Sequence, residues 1–168
     1  TLKVTDASGL PVVTARDIAV DPGGKRRAAV AAGTSLAIFD FSRRDQPRLV
    51  GIAPSAGSAA VAWDIDRLWV ATDSAELVAY VLDADGAPQP SATSLTLPFP
   101  AEDLAVKSGT LYAALGPFGI AVVDVAGAVP LLLGVVDTPG WASGVGVDVD
   151  GRVWPADRAA AVILLDVP

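Results

Sequence analysis

The chain has 168 residues, half of them hydrophobic, with 19 Asp and Glu against 12 Lys and Arg and neither Cys nor His. That length suits one domain with a sizeable core, and that hydrophobic content argues against disorder. The missing residue types exclude disulfides, Cys/His zinc sites and Ser-His-Asp or Cys-His catalysis, and a net charge of −7 argues against nucleic acid or an anionic membrane as partner.

The acidic residues are almost all aspartate, with Glu76 and Glu102 the two glutamates. Asp favours turns where Glu favours helices, so the skew points to a turn-rich β protein. Absent cysteines leave the redox compartment open. A chain with no Met that starts at Thr1 reads as a processed product or a piece of a longer one, any signal peptide already removed.

In chain order, residues 2–9, LKVTDASG, match residues 133–140, LGVVDTPG, and read as an outer strand of the kind called D below. Four units follow, each with short β-runs A, B, C and D. The first has DIAVD (17–21), RAAVAA (27–32), LAIFDFS (36–42) and RLVGIA (48–53). The second has AVAWD (60–64), RLWVAT (67–72), VAYVLDA (78–84) and SLTL (94–97). The third has DLAVK (103–107), TLYAAL (110–115), IAVVDVA (120–126) and LLLGVV (131–136). The fourth has GVGVD (144–148), RVWPAD (152–157) and VILLDVP (162–168), where the chain stops after C.

The aspartates that end the C runs, Asp40, Asp83, Asp124 and Asp166, are spaced by 43, 41 and 42 residues. A period near 42 carrying four strands is that of a propeller blade. The A runs alternate large residues with Ala or Gly, as a crowded strand beside a central axis requires. The expected fold is therefore an all-β single domain, a β-propeller of four repeats. Its blades span about 17–53, 59–97, 102–136 and 143–167. Strand 2–6 completes the last blade and closes the ring, which leaves no long edge exposed. The alternative is part of a larger propeller, built from two chains or a longer one. The apolar stretch 119–136 contains Asp124 and Pro130 and reads as two strands and a turn, not a membrane span.

Residues 111–147, with IAVVDV and LLLGVVDTPGWA inside them, resemble the LVIVD-repeat β-propeller family. The second unit departs from that pattern with SATSLTL, the first with PGGKRR in its A–B hairpin, and the fourth with Pro155 in strand B. The resemblance implies a propeller with no common catalytic motif, found on bacterial cell surfaces or secreted.

Candidate chemistry is sparse. The repeat aspartates read as caps of the turns after strand C. DADG (83–86) and DVDG (148–151) have half the look of a calcium loop but no closing Glu, and Asp-Gly is hairpin chemistry. Asp17 and Asp103 open strand A in the first and third units, where the others have Ala60 and Gly144. Across a four-bladed axis they would face each other and could hold a cation or ligand amine, or each could cap its own turn. Trp69, Tyr112 and Trp154 share one register and read as inter-blade packing. Phe99, Phe118 and Trp141 fall in D–A and B–C loops, which share one propeller face, and are the candidate binding patch. The basic GGKRR run (23–27), with Arg43 and Arg44, reads as a solvated hairpin region.

The expected function is a non-catalytic binding or scaffolding module with a protein or carbohydrate partner, extracellular or on the cell surface, using no cofactor and neither binding nucleic acid nor entering a membrane. Its candidate site is Asp17, Asp103, Glu102, Phe99, Phe118 and Trp141. Two alternatives stand beside it. One is a channel-centred hydrolase or cation site using Asp17, Asp103 and Glu102, with Asp17 and Asp103 the metal candidates. The other is a structural segment of a larger ring, including a homo-oligomer.

Overall fold

A computed structural model describes residues 14–43, 45–65, 67–159 and 161–162. Its regular elements are all strands, and among the described residues there is no helix long and apolar enough to cross a membrane.

The first unit comprises β1 (Asp17–Val20), β2 (Arg27–Ala31), β3 (Gly33–Asp40) and the first half of β4 (Arg48–Trp63). The second comprises the rest of β4, then β5 (Leu68–Thr72), β6 (Glu76–Leu82) and β7 (Pro88–Thr96). The third is β8 (Asp103–Lys107), β9 (Thr110–Ala114), β10 (Ile120–Asp124) and β11 (Leu131–Val136), a four-stranded antiparallel sheet paired in sequence order. The fourth shows β12 (Ala142–Val147), β13 (Val153–Asp157) and the start of a third strand, β14 (Ala161–Val162). The first three units follow the expected A–B–C–D order and the fourth shows A, B and the start of C among the described residues, because alternating residues joined by short turns favour hairpins between neighbours.

Three details differ from expectation. Strand D of the first unit and strand A of the second are one continuous strand, β4, so no loop divides residues 53 and 59. The small, uncharged APSAGSA linker keeps pairing with β3 and then β5, with register shifts at Gly33/Ser35 and Ser58/Ala60. The second unit's D strand starts at Pro88, ahead of the expected Ser94. Pro155 does not break strand B: it lies buried in β13 opposite Val145. The expected strand 2–6 and Asp166 fall outside the described residues, as does the rest of the fourth unit's strand C.

The core lies between the units. The first and second meet through Ala29, Ala31, Leu36 and Ile38 against Val61, Trp63, Leu68 and Val70. The second and third meet through Trp69, Ala71, Leu77 and Ala79 against Leu104, Leu111 and Ala113. The third and fourth meet through Tyr112, Ala114, Ile120 and Val122 against Ala142, Val145 and Val153. One face of each sheet thus trails into the next sheet's leading face. A fully buried Leu or Val contributes roughly 1.5–3 kcal/mol, so these three seams supply most of the apolar stabilisation.

Of the three aromatics at one register of strand B, Trp69 and Tyr112 are buried in seams, while Trp154 is 40% exposed. The packing expectation fails for Trp154 because its trailing face meets no further sheet among the described residues.

Candidate functional site

Strand A starts set the first candidate. Asp17 opens β1; its Oδ1 accepts the Ile18 amide at 2.7 Å and its Oδ2 accepts the Val61 amide, in the next unit, at 2.7 Å. Asp103 opens β8 and repeats the pattern, taking Leu104 N and Val145 N, both at 2.8 Å. Each carboxylate therefore ties its own strand A to the strand A of the following unit. Burial pushes the Asp103 carboxyl up from the ordinary aspartate value; the two amide bonds oppose that shift, and the negative charge of Asp17 adds to it. The two aspartates are thus near enough to feel each other, but their oxygens are engaged by main-chain donors. Gly144 suits this place, because a Cβ there would lie 3.3 Å from the Ala156 Cβ, closer than ordinary contact.

The turn aspartates behave alike. Asp40 accepts Ser42 N, and Asp124 accepts Ala126 N. Asp83 accepts the amides of Asp85 and Ala87, and Asp148 those of Asp150 and Arg152. In both Asp-x-Asp-Gly stretches the first aspartate is therefore a turn cap. No group of three or more acidic side chains that could hold a metal ion occurs among the described residues.

The loop face is assembled by main-chain bonds between D–A and B–C segments. Asp73 N donates to Gly57 O, Leu97 N to Ala75 O, and Gly116 and Ala142 exchange both bonds. On this face Phe99 and Phe118 stack at 5.1 Å between centroids, tilted by 36°. Phe118 is 48% exposed. Trp141 stands apart from a simple apolar trio. Its indole N–H donates to Glu102 Oε1, one ring face covers Gly116, and the Arg158 guanidinium lies 5.5 Å from its centroid. Arg158 also reaches Glu102 Oε2 at 3.6 Å. Glu102, expected at the channel, is thus brought to Trp141 instead. Arg158 was not legible as part of this cluster, since nothing near it in sequence marks a partner 56 residues away.

On the opposite face a cavity of about 360 Å³ lies between the first two units, lined among others by Asp21, Lys25, Arg27, Trp63, Arg67 and Asp83. Arg67 is committed elsewhere: it donates to Val125 O and Gly127 O of the third unit and lies over Trp69. The basic hairpin folds back, with Arg26 donating to Ser42 O and Arg27 lying over Gly86.

With this geometry in place, comparison with solved structures defines the class. The chain has the fold of β-propellers. It superposes on the Cps50 (Swd1) β-propeller domain of Myceliophteria thermophila with a TM-score of 0.69 and 12% identity, over 92% of this chain and 52% of that one. It superposes on the computationally designed Ika4 protein with a TM-score of 0.75 and 12% identity, over 100% of this chain and 99% of that one. The chain thus spans about half the length of the first of these propellers. No protein-family model and no curated protein matches it.

Proposed function

We propose that the chain is a non-catalytic binding module, a propeller of the LVIVD-repeat kind whose D–A and B–C loop face receives a protein partner, at a cell surface or outside the cell. The observation that carries this reading is Phe118, half open to solvent and stacked on a Phe99 that is anchored against the core, on a face tied down by main-chain bonds. Rigid loops that expose aromatic rings suit recognition at low entropic cost. Trp141, pinned by Glu102 and Arg158, supports the rim of that patch and offers little ring surface of its own. A second reading, a cation-binding or hydrolytic channel, draws on one observation: Asp103 has a raised pKa beside Asp17.

Panning displayed peptides and a glycan array against the chain tests the two readings together. Peptides enriched by the wild type, lost with Phe99→Ala/Phe118→Ala and kept with Asp103→Asn support the loop-face module. Glycans with that same dependence move the partner class to carbohydrate. Turnover of glycans or esters that Asp103→Asn abolishes overturns the module in favour of the channel.

A further inference from the structure

Away from the loop face, the three seams end differently. The B run opens with Arg27 in the first unit, Arg67 in the second and Thr110 in the third. Arg67 crosses the second seam and donates to the carbonyls of Val125 at 2.6 Å and Gly127 at 2.9 Å, in the turn after strand C of the third unit. In the third seam Lys107, at the end of β8, donates to Asp148 O of the fourth unit. Arg27 stands in the first seam as Arg67 does in the second, over Gly86, the repeat equivalent of Gly127. A Cβ on Gly86 would lie 2.8 Å from Arg27 Nη1 and 2.9 Å from both Cζ and Nη2. That even approach lays the guanidinium flat on the turn, so its N–H fork is directed away from the turn's carbonyls. Among the described residues, the side chains of Arg27 and Lys25 have neither a hydrogen bond nor an ion pair.

The first seam ends instead in the cavity of about 360 Å³, a volume that suits a small molecule. Its lining carries three cations, Lys25, Arg27 and Arg67, against two carboxylates, Asp21 and Asp83, on a chain of net charge −7. Asp21 accepts the Gly23 amide, and Asp83 accepts the amides of Asp85 and Ala87 and the Gln89 side chain, so both are engaged by local N–H donors. We propose that the cavity binds a small organic carboxylate. The Arg27 fork and the Lys25 ammonium take its carboxylate, and its apolar body lies toward Trp63. A single negative charge matches the two unspent cations, whereas a phosphate dianion would meet Asp21 and Asp83 as like charges. This inference does not depend on what the loop face binds.

Amide NMR of the whole chain tests it, with benzoate as probe, benzamide as its neutral isostere and inorganic phosphate as the competing anion. Benzoate should shift the Gly86 and Ala87 amides saturably, and benzamide should not. Arg27→Gln should weaken benzoate about tenfold or more, through loss of the charge-assisted fork. Lys25→Gln, on the exposed hairpin, should weaken it about threefold, and it decides the matter if Arg27→Gln does not fold. N-acetylphenylalanine that binds more tightly than benzoate with the same dependence makes a peptide C-terminus the source of the carboxylate. Benzoate as the tighter ligand makes it a free acid, and either result upholds the site. Absence of any shift with benzoate overturns the proposal, as do equal shifts with benzamide or benzoate binding indifferent to both substitutions. Phosphate that binds where benzoate is silent overturns it too.

Discussion

Asp103 Oδ2 accepts the main-chain amide of Val145 at 2.8 Å, across the seam between the third and fourth units. Asp17 does the same for Val61, between the first and second. Val61 and Val145 are both buried, so removing either carboxylate leaves a buried N–H without its acceptor. Asp17→Ala and Asp103→Ala should each cost about 1–3 kcal/mol in urea unfolding. The exposed Asp45→Ala should stay within about 0.5 kcal/mol. Equal stabilities for all three would remove the tether.

A backbone contact makes the second prediction. Gly119 has φ +80°, and a Cβ there would overlap the Val136 carbonyl oxygen, next to Thr138. Gly24 has φ +73° with open space around it. Gly24→Ala should therefore cost about 1 kcal/mol, the conformational strain alone. Gly119→Ala should cost clearly more, because neither β10 nor β11 can move away without breaking its pairing. Thermal unfolding of the two variants side by side reads the difference.

Acid should weaken the fold through its turn caps. The indole N–H of Trp154, then the amides of Arg152 and Asp150, hold the Asp148 carboxyl below 3.8. The Ala87 amide leads the same effect at Asp83, and the Ser42 amide at Asp40. A folded pKa below the unfolded one gives stability that is present above 3.8 and lost as pH falls through the folded value. Asp103 has the opposite sign: its raised pKa gives stability present below 3.8 and lost as pH rises through the folded value. In urea midpoints followed into acid, Asp148→Asn should flatten the loss and Asp103→Asn should steepen it.

Much of the architecture was legible because period, alternation and turn chemistry agreed. The aspartates spaced by about 42 residues located strand C in the first three units, and the A–B turns located the hairpin between the first two strands of each unit. What escaped was long-range. Nothing in APSAGSA says that a D strand runs on into the next A strand as β4. Nothing in the sequence near Asp17 says that its second oxygen reaches 44 residues ahead to an amide. Spacing marked Asp17 and Asp103 as a pair of candidate ligands, whereas their oxygens serve the main chain. The pairing of Phe99 with Phe118 followed from loop positions alone, but the capture of Trp141 by Glu102 and Arg158 depends on side-chain reach that no local pattern encodes.

The most direct test of the inter-blade tethers is an amide-resolved NMR titration through the carboxylate range. The Val145 amide should titrate with a midpoint above 3.8, following Asp103, and lose that transition in Asp103→Asn. A Val145 amide indifferent to pH, together with Asp17 and Asp103 resonances that move on adding a divalent cation, would contradict the account and return the two carboxylates to the channel.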